Sequence, residues 1–226
     1  GPEDIQRVEL PNGIVVLARA NFNSPSVVVQ GYLPTGGLFD PDEKLGLANF
    51  TAAALMRGAG QRDFQQIYDA LESVGASLGF NAGTHTAAFS GRALAEDLDM
   101  LLGLLGEALR QPVFPIEQVD RLRAQLLTSL AIRAQDTAEM ASLVFDKIVY
   151  PGHPYSRPED GYPETVGAIA REDLVGFHQQ MYGPRGMVIA LVGAVDPARG
   201  VEKAAGALGD WRNPLQPEIP PLPPAP

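Results

Sequence analysis

The stretch Gly46-Leu47-Ala48-Asn49-Phe50-Thr51-Ala52-Ala53-Ala54-Leu55-Met56-Arg57-Gly58 constrains this chain more than any other. Ala, Leu and Met favour helix and no proline interrupts the run, so it predicts one short helix. Asp40-Pro41-Asp42-Glu43 just ahead supplies a start signal: a capping Asp, a Pro at the first helical position and a Glu three residues on. Gly58 stops the helix, with Gly60 close behind. Between Leu47 and Met56, Asn49 is the one side chain polar beyond a hydroxyl. A helix apolar on most of its sides is normally buried.

The rest of the chain reads as alternating strands and helices. Gln6 to Leu10 and Ile14 to Arg19 are two strands around Pro11-Asn12-Gly13, and Asn-Gly between β-branched runs predicts a hairpin. Ser24 to Thr35 is a third strand, closed by Gly36-Gly37. Asp63 to Val74 is an amphipathic helix with Phe64, Ile67, Leu71 and Val74 on one face. Ser77 to Ser90 is a strand pair, and Leu94 to Leu109 a helix with a dense Leu stripe. After the break Gln111-Pro112-Val113-Phe114-Pro115 come two helices, Ile116 to Ala134 and Thr137 to Val149. Arg171 to Met181 is another helix. Met187 to Gly193 is a continuous apolar run, as a central strand covered on both faces would be, and Pro197 to Leu208 is the last helix. Pro214 to Pro226 carries seven prolines, which favours extended polyproline II over helix or central strand.

Composition narrows the function classes. The 226 residues suffice for one large domain or two small ones. A formal net charge of −10 argues against nucleic acid or an anionic membrane surface as the main partner. With no cysteine, thiolate metal sites, disulfides and Cys catalysis are excluded. No apolar run is long enough to span a bilayer, and no signal-peptide pattern opens the chain. Gly1-Pro2 has the look of a tag-removal scar.

The Gly46–Gly58 stretch resembles the metal-binding helix of the pitrilysin and mitochondrial-processing-peptidase family, the inverted zincins. In active members that helix reads roughly G-(L/V)-A-H-F-L-E-H, with two zinc-binding His and a Glu as general base. Here the first His falls at Asn49, the Glu at Ala52 and the second His at Ala53. The family's third ligand is a Glu on the first of the two later helices, and its place is Ser129. Leu10-Pro11-Asn12-Gly13, Thr35-Gly36-Gly37, the Pro112–Phe114 break and the turn Gly152-His153-Pro154-Tyr155 resemble further family motifs in the same order. The likeness covers about residues 5–212. It implies an α+β domain over residues 3–212, with a mixed, mostly antiparallel β-sheet and helices packed mainly on one face. Residues 213–226 would be the linker that in the family leads to a second such domain.

The resemblance also sets the functional expectations. Asn49, Ala52, Ala53 and Ser129 leave no catalytic residue and no metal set, so no cofactor is expected. Phe80-Asn81-Ala82-Gly83-Thr84 resembles the family strand whose edge receives substrate, and these five residues are the candidate peptide-binding site. The favoured reading is a catalytically inactive peptidase-family domain. Its partners would be an active zinc-peptidase subunit of the family or a second copy of itself, together with extended peptides. One alternative is an assembly module unrelated to proteolysis, as in the core subunits of the respiratory bc1 complex. Another is a zinc metalloendopeptidase with a displaced site. His85 is expected on a solvated strand, His153 in a locally bonded turn and His178 half-buried on a helix. Pro41-Asp42-Glu43 and the pair Glu159-Asp160 read as solvated loops. Ala52 and Ala53 are both expected to be largely buried.

Overall fold

The computed structural model describes residues 2–219 and Pro224. The elements follow the hydrophobic periodicity closely. In chain order they are β1 (Gln6–Glu9), β2 (Val15–Ala20), β3 (Ser26–Leu33), α1 (Leu47–Ala54), a small ribbon of β4 (Gly58–Ala59) and β5 (Arg62–Asp63), and α2 (Phe64–Ser73). Then come β6 (Ser77–Ala82), β7 (Ala87–Leu94), α3 (Leu98–Arg110), α4 (Ile116–Arg133), α5 (Thr137–Val149), α6 (Pro163–Ala168), α7 (Arg171–Met181), β8 (Val188–Gly193) and α8 (Pro197–Leu208). The α2 helix opens with a capping box, the Asp63 carboxylate accepting from the Gln66 N–H and the Gln66 amide oxygen accepting from the Asp63 N–H.

Among the described residues, the large sheet has the order β1-β2-β8-β3-β7-β6. Every neighbouring pair is antiparallel except β2 and β8, which run parallel. The chain thus folds as an α+β domain, with β8 returning late to fill the gap between β2 and β3. Gly31 of β3 has to be glycine: a Cβ there would collide with the Phe89 ring and the Val188 carbonyl. The Asn12 side chain joins the first hairpin to the far end of the domain, donating to the Leu208 carbonyl at 2.8 Å.

One face of the sheet carries the core. Val27, Val29, Phe89, Ile189 and Leu191 are buried there together with the α3 stripe Leu98, Leu101, Leu102, Leu105 and Leu109. The opposite face is open, with Gln30, Tyr32, Ser90, Arg92 and Val192 exposed. The β8 strand therefore departs from expectation. It is central but covered on one face only. Its apolar run continues because Val188 and Ala190 sit half-buried between the flanking strands β2 and β3.

The chain remains packed past residue 212. Asn213 donates to the carbonyls of Gln179 and Tyr182, and the buried Gln216 exchanges hydrogen bonds with the Arg185 backbone. Of the expected polyproline segment, residues 214–219 and 224 are described, with Pro214 and Leu215 in a turn, and 220–223, 225 and 226 lie outside the described residues.

Candidate functional site

The site is built around the N-terminal end of α1. Asp40 is 4 % exposed and reaches forward to accept the N–H groups of Gly46 at 2.8 Å and Ala48 at 2.9 Å. The helix does not start at Pro41 with Asp40 as adjacent cap. Residues Asp42–Lys44 form a separate 3-10 turn, and Gly46, at φ +95°, swings the chain into the helix at Leu47. Asp40 still satisfies the orphan donors, from six and eight residues upstream. Burial pushes its carboxyl up to about 7, against the pull of those backbone donors and of Arg157.

Asn49 and Ala53 lie one turn apart on the same stripe of α1 and are both half-buried. Ala52, turned about 100° away, is fully buried. Both alanines are thus largely buried, Ala52 wholly within the core and Ala53 packed against its edge. Ser129 lies on an exposed part of α4.

A loop crosses this stripe. Gly161 (φ +70°) fits tightly against the segment leading into α1, since a Cβ there would collide with the Leu45 carbonyl. The Asn49 amide donates to Asp160 Oδ1 at 2.7 Å. Arg133 Nη1 donates to the other Asp160 oxygen at 3.2 Å, and its Nη2 to the Gly161 carbonyl at 3.0 Å. Glu159 Oε1 accepts from the Thr84 N–H at 2.7 Å and the Thr84 hydroxyl at 2.6 Å. Arg157 pairs with Asp42 at 2.8 Å. Glu159 and Asp160 are thus not a merely solvated pair. They meet donors from α1, α4 and the loop after β6, because Gly161 lets their own loop lie that close. Sequence reading missed Arg133 and the loop. Arg133 stands four residues after Ser129 and so on the same helix face, which was the available signal.

These residues do not fit a zinc ion. Alanine presents no donor atom at 52 or 53, which leaves only the Asn49 amide oxygen and the Ser129 hydroxyl at the four positions, and a catalytic zinc takes about three protein ligands. Among the described residues there is no group of three or more His, Cys, Asp or Glu side chains placed to hold a metal. The histidines are apart and otherwise engaged. His85 is exposed in the turn after β6 rather than on a strand, and its Nε2 is 3.1 Å from the Tyr155 hydroxyl. His153 is buried and accepts from the Tyr155 N–H at 3.2 Å. His178 is half-buried against the Leu109 carbonyl, at 2.9 Å.

Within Phe80–Thr84, the strand half and the loop half differ. Phe80, Asn81 and Ala82 lie on β6, the sheet's outer strand, whose ladder partner is β7. Gly83 donates to the Thr86 carbonyl at 2.9 Å in the same register. Antiparallel alternation then turns the backbone groups of Phe80 and Ala82 outward. The loop half is occupied. The Gly83 and Thr84 carbonyls accept from the N–H groups of Gly37 and Leu38, both at 3.0 Å, and the Thr84 N–H is bound by Glu159.

Comparison with known proteins gives this geometry its family. The family described as "Insulinase (Peptidase family M16)" matches residues 15–154, and "Peptidase M16 inactive domain" matches residues 168–226. An uncharacterized zinc protease of Mycobacterium leprae is 28% identical over 191 residues, covering 84% of this chain and 43% of that protein. Subunit 1 of the human mitochondrial cytochrome b-c1 complex is 25% identical over 204 residues, covering 88% and 42%. The crystal structure of a peptidase M16 inactive domain from Pseudomonas fluorescens superposes with a TM-score of 0.86 at 27% identity, covering 98% of this chain and 53% of that one. The chain spans less than half the length of these two curated relatives. With a family match over most of its length and the same fold in a solved relative, the chain belongs to peptidase family M16.

Proposed function

We propose that this chain is a non-catalytic M16 domain that serves an active zinc-peptidase subunit of the same family by holding extended peptide on β6. One observation carries the reading: at the stripe where the family places its metal, Asn49 and Arg133 instead bind the Asp160 carboxylate of the protein's own loop. With alanine at 52 and 53, nothing there activates a water. A strand edge needs neither metal nor catalytic side chain to bind peptide, since main-chain hydrogen bonds suffice. Phe80, Asn81 and Ala82 are the core of the proposed site. Gly83 and Thr84 border it, their backbone groups being already engaged.

Amide exchange tests the reading. An extended, unstructured peptide at millimolar concentration should slow exchange at Phe80 and Ala82 while leaving Thr84, already bonded, unchanged. Protection that appears only on adding an M16 subunit with an intact H-x-x-E-H helix would replace the peptide site by an assembly surface. The likeness to the human b-c1 subunit favours that second reading.

A further inference from the structure

A cavity lies on the helical side of the domain, among the helices and away from the open sheet face. It measures about 270 Å³ and is bounded by the end of α3, the connection after it, α7 and residues 211–213. Its walls include the buried aromatic side chains of Phe114, Tyr182 and Trp211. Phe114 has φ +49°, the one positive φ outside glycine among the described residues. A bulky residue in that region is a genuine outlier, and such strain gathers at binding sites. Arg171 holds it there, donating to the Phe114 and Val113 carbonyls at 2.7 and 3.1 Å. The Tyr182 hydroxyl is buried with no hydrogen-bond partner among the described residues.

The charges at this cavity run against those of the chain. The protein is strongly acidic, at −10, yet the charged residues lining the cavity are Arg110 and Arg212. Arg110 uses Nη1 on the Ala207 carbonyl and on Asp210. Arg212 uses Nη1 on the Gly209 and Trp211 carbonyls, at 2.9 and 2.7 Å. Arg212 is exposed and close enough to Asp210 to help Arg110 hold that carboxyl below its usual value, yet its Nε and Nη2 donors take no hydrogen-bond partner among the described residues, and that pair is the edge with which a guanidinium grips a carboxylate. His178 adds no charge. Its Nε2 must carry the proton it gives to the Leu109 carbonyl, and burial holds its pKa below the usual value.

We propose that this cavity binds a small aromatic monocarboxylate, with the ring against Phe114, Tyr182 and Trp211 and the carboxylate on Arg212. Trp211 is the chain's one tryptophan, so its emission reports on the cavity directly. Titration of the purified chain with 3-phenylpropionate should give a saturable change in that emission at millimolar ligand. The neutral analogue 3-phenylpropan-1-ol, alike in shape, should bind about tenfold more weakly. Arg212→Gln should weaken the acid by about the same factor and leave the alcohol unchanged. Absence of saturation, or equal affinity for acid and alcohol on the unaltered protein, overturns the proposal. The second comparison holds even if the Arg212 variant fails to fold.

Discussion

Six of the residues of α1 are buried, whereas α5, the longer helix, has no buried residue. Their compositions do not foretell this. The α5 helix carries Met140, Val144, Phe145 and Ile148, all larger than the alanines of α1, and holds them in solvent. The difference lies in what covers each helix. The α1 helix is pressed between β6, α4, α7 and the Arg157–Gly161 loop, and its first turn is tied to Asp40. The α5 helix is held at its ends instead. Asp136 caps it by accepting from Ala138 and Glu139, and the Lys147 ammonium lies 5.1 Å over the Tyr162 ring. Small side chains let α1 be enclosed on all but the Asn49–Ala53 stripe, and the comparison teaches that apolarity predicts burial only where the fold supplies a cover.

The largest test of the enclosed side is Ala52→Asp. A carboxylate there has no partner and no water, so the domain should lose about 3 kcal/mol, or roughly 10 °C of thermal midpoint. Ala53→Asp, on the half-open stripe, should cost less than half as much. Equal losses would mean that the two faces of α1 are assigned wrongly.

The cap of α1 gives the next effect, read against pH. Asp40 has its carboxyl lifted to about 7 in the fold, against 3.8 for the ordinary group. The folded protein therefore keeps this proton after the unfolded chain has released it. Stability from this group is greatest below about pH 4 and falls as pH rises toward 7. Asp40→Asn lacks the titration. Thermal melts should show the wild type's advantage over Asp40→Asn shrinking from pH 4 to pH 7. An advantage that grows with pH would mean that the backbone donors dominate over burial.

The same contrast explains what was legible in the sequence. Periodicity and capping residues placed most helices and strands, because those signals are local, whereas the β4–β5 ribbon and α6 went unread. The pairing of Asn49 with Ala53 on one stripe was legible too, since the two stand four apart in one short helical run. The filling of that stripe was not, because it joins Asn49 to Asp160 across 111 positions. Two acids between Pro158 and Gly161 look like any solvated turn until the fold brings them against α1. The exposure of α5 was likewise hidden, since periodicity says which residues share a face and nothing of what faces them.

A third test restores the lost groups. The unaltered chain should carry no stoichiometric zinc. The quadruple variant Asn49→His, Ala52→Glu, Ala53→His and Ser129→Glu should take up about one zinc per chain, measured by elemental analysis on folded protein. It should also be less stable, because Ala52→Glu forces a carboxylate into a closed position. A folded variant without zinc would break the register assigned to α1 and α4.

The smallest effect belongs to α5. Phe145 and Ile148 are 62% and 71% exposed, so the transfer energy of their side chains is largely unrealised in the fold. Serine has a helix propensity close to theirs. The double variant Phe145→Ser with Ile148→Ser should therefore stay within about 0.5 kcal/mol of the parent, a shift of about 1–2 °C. Melts at two protein concentrations a hundredfold apart sharpen the result, because a face covered by another copy makes the midpoint concentration-dependent. A loss above about 1 kcal/mol that does not depend on concentration would show α5 packing within its own chain. The contrast with α1 would then fail. A loss that grows with concentration would show the cover of α5 to be a second molecule, leaving the contrast intact for the single chain.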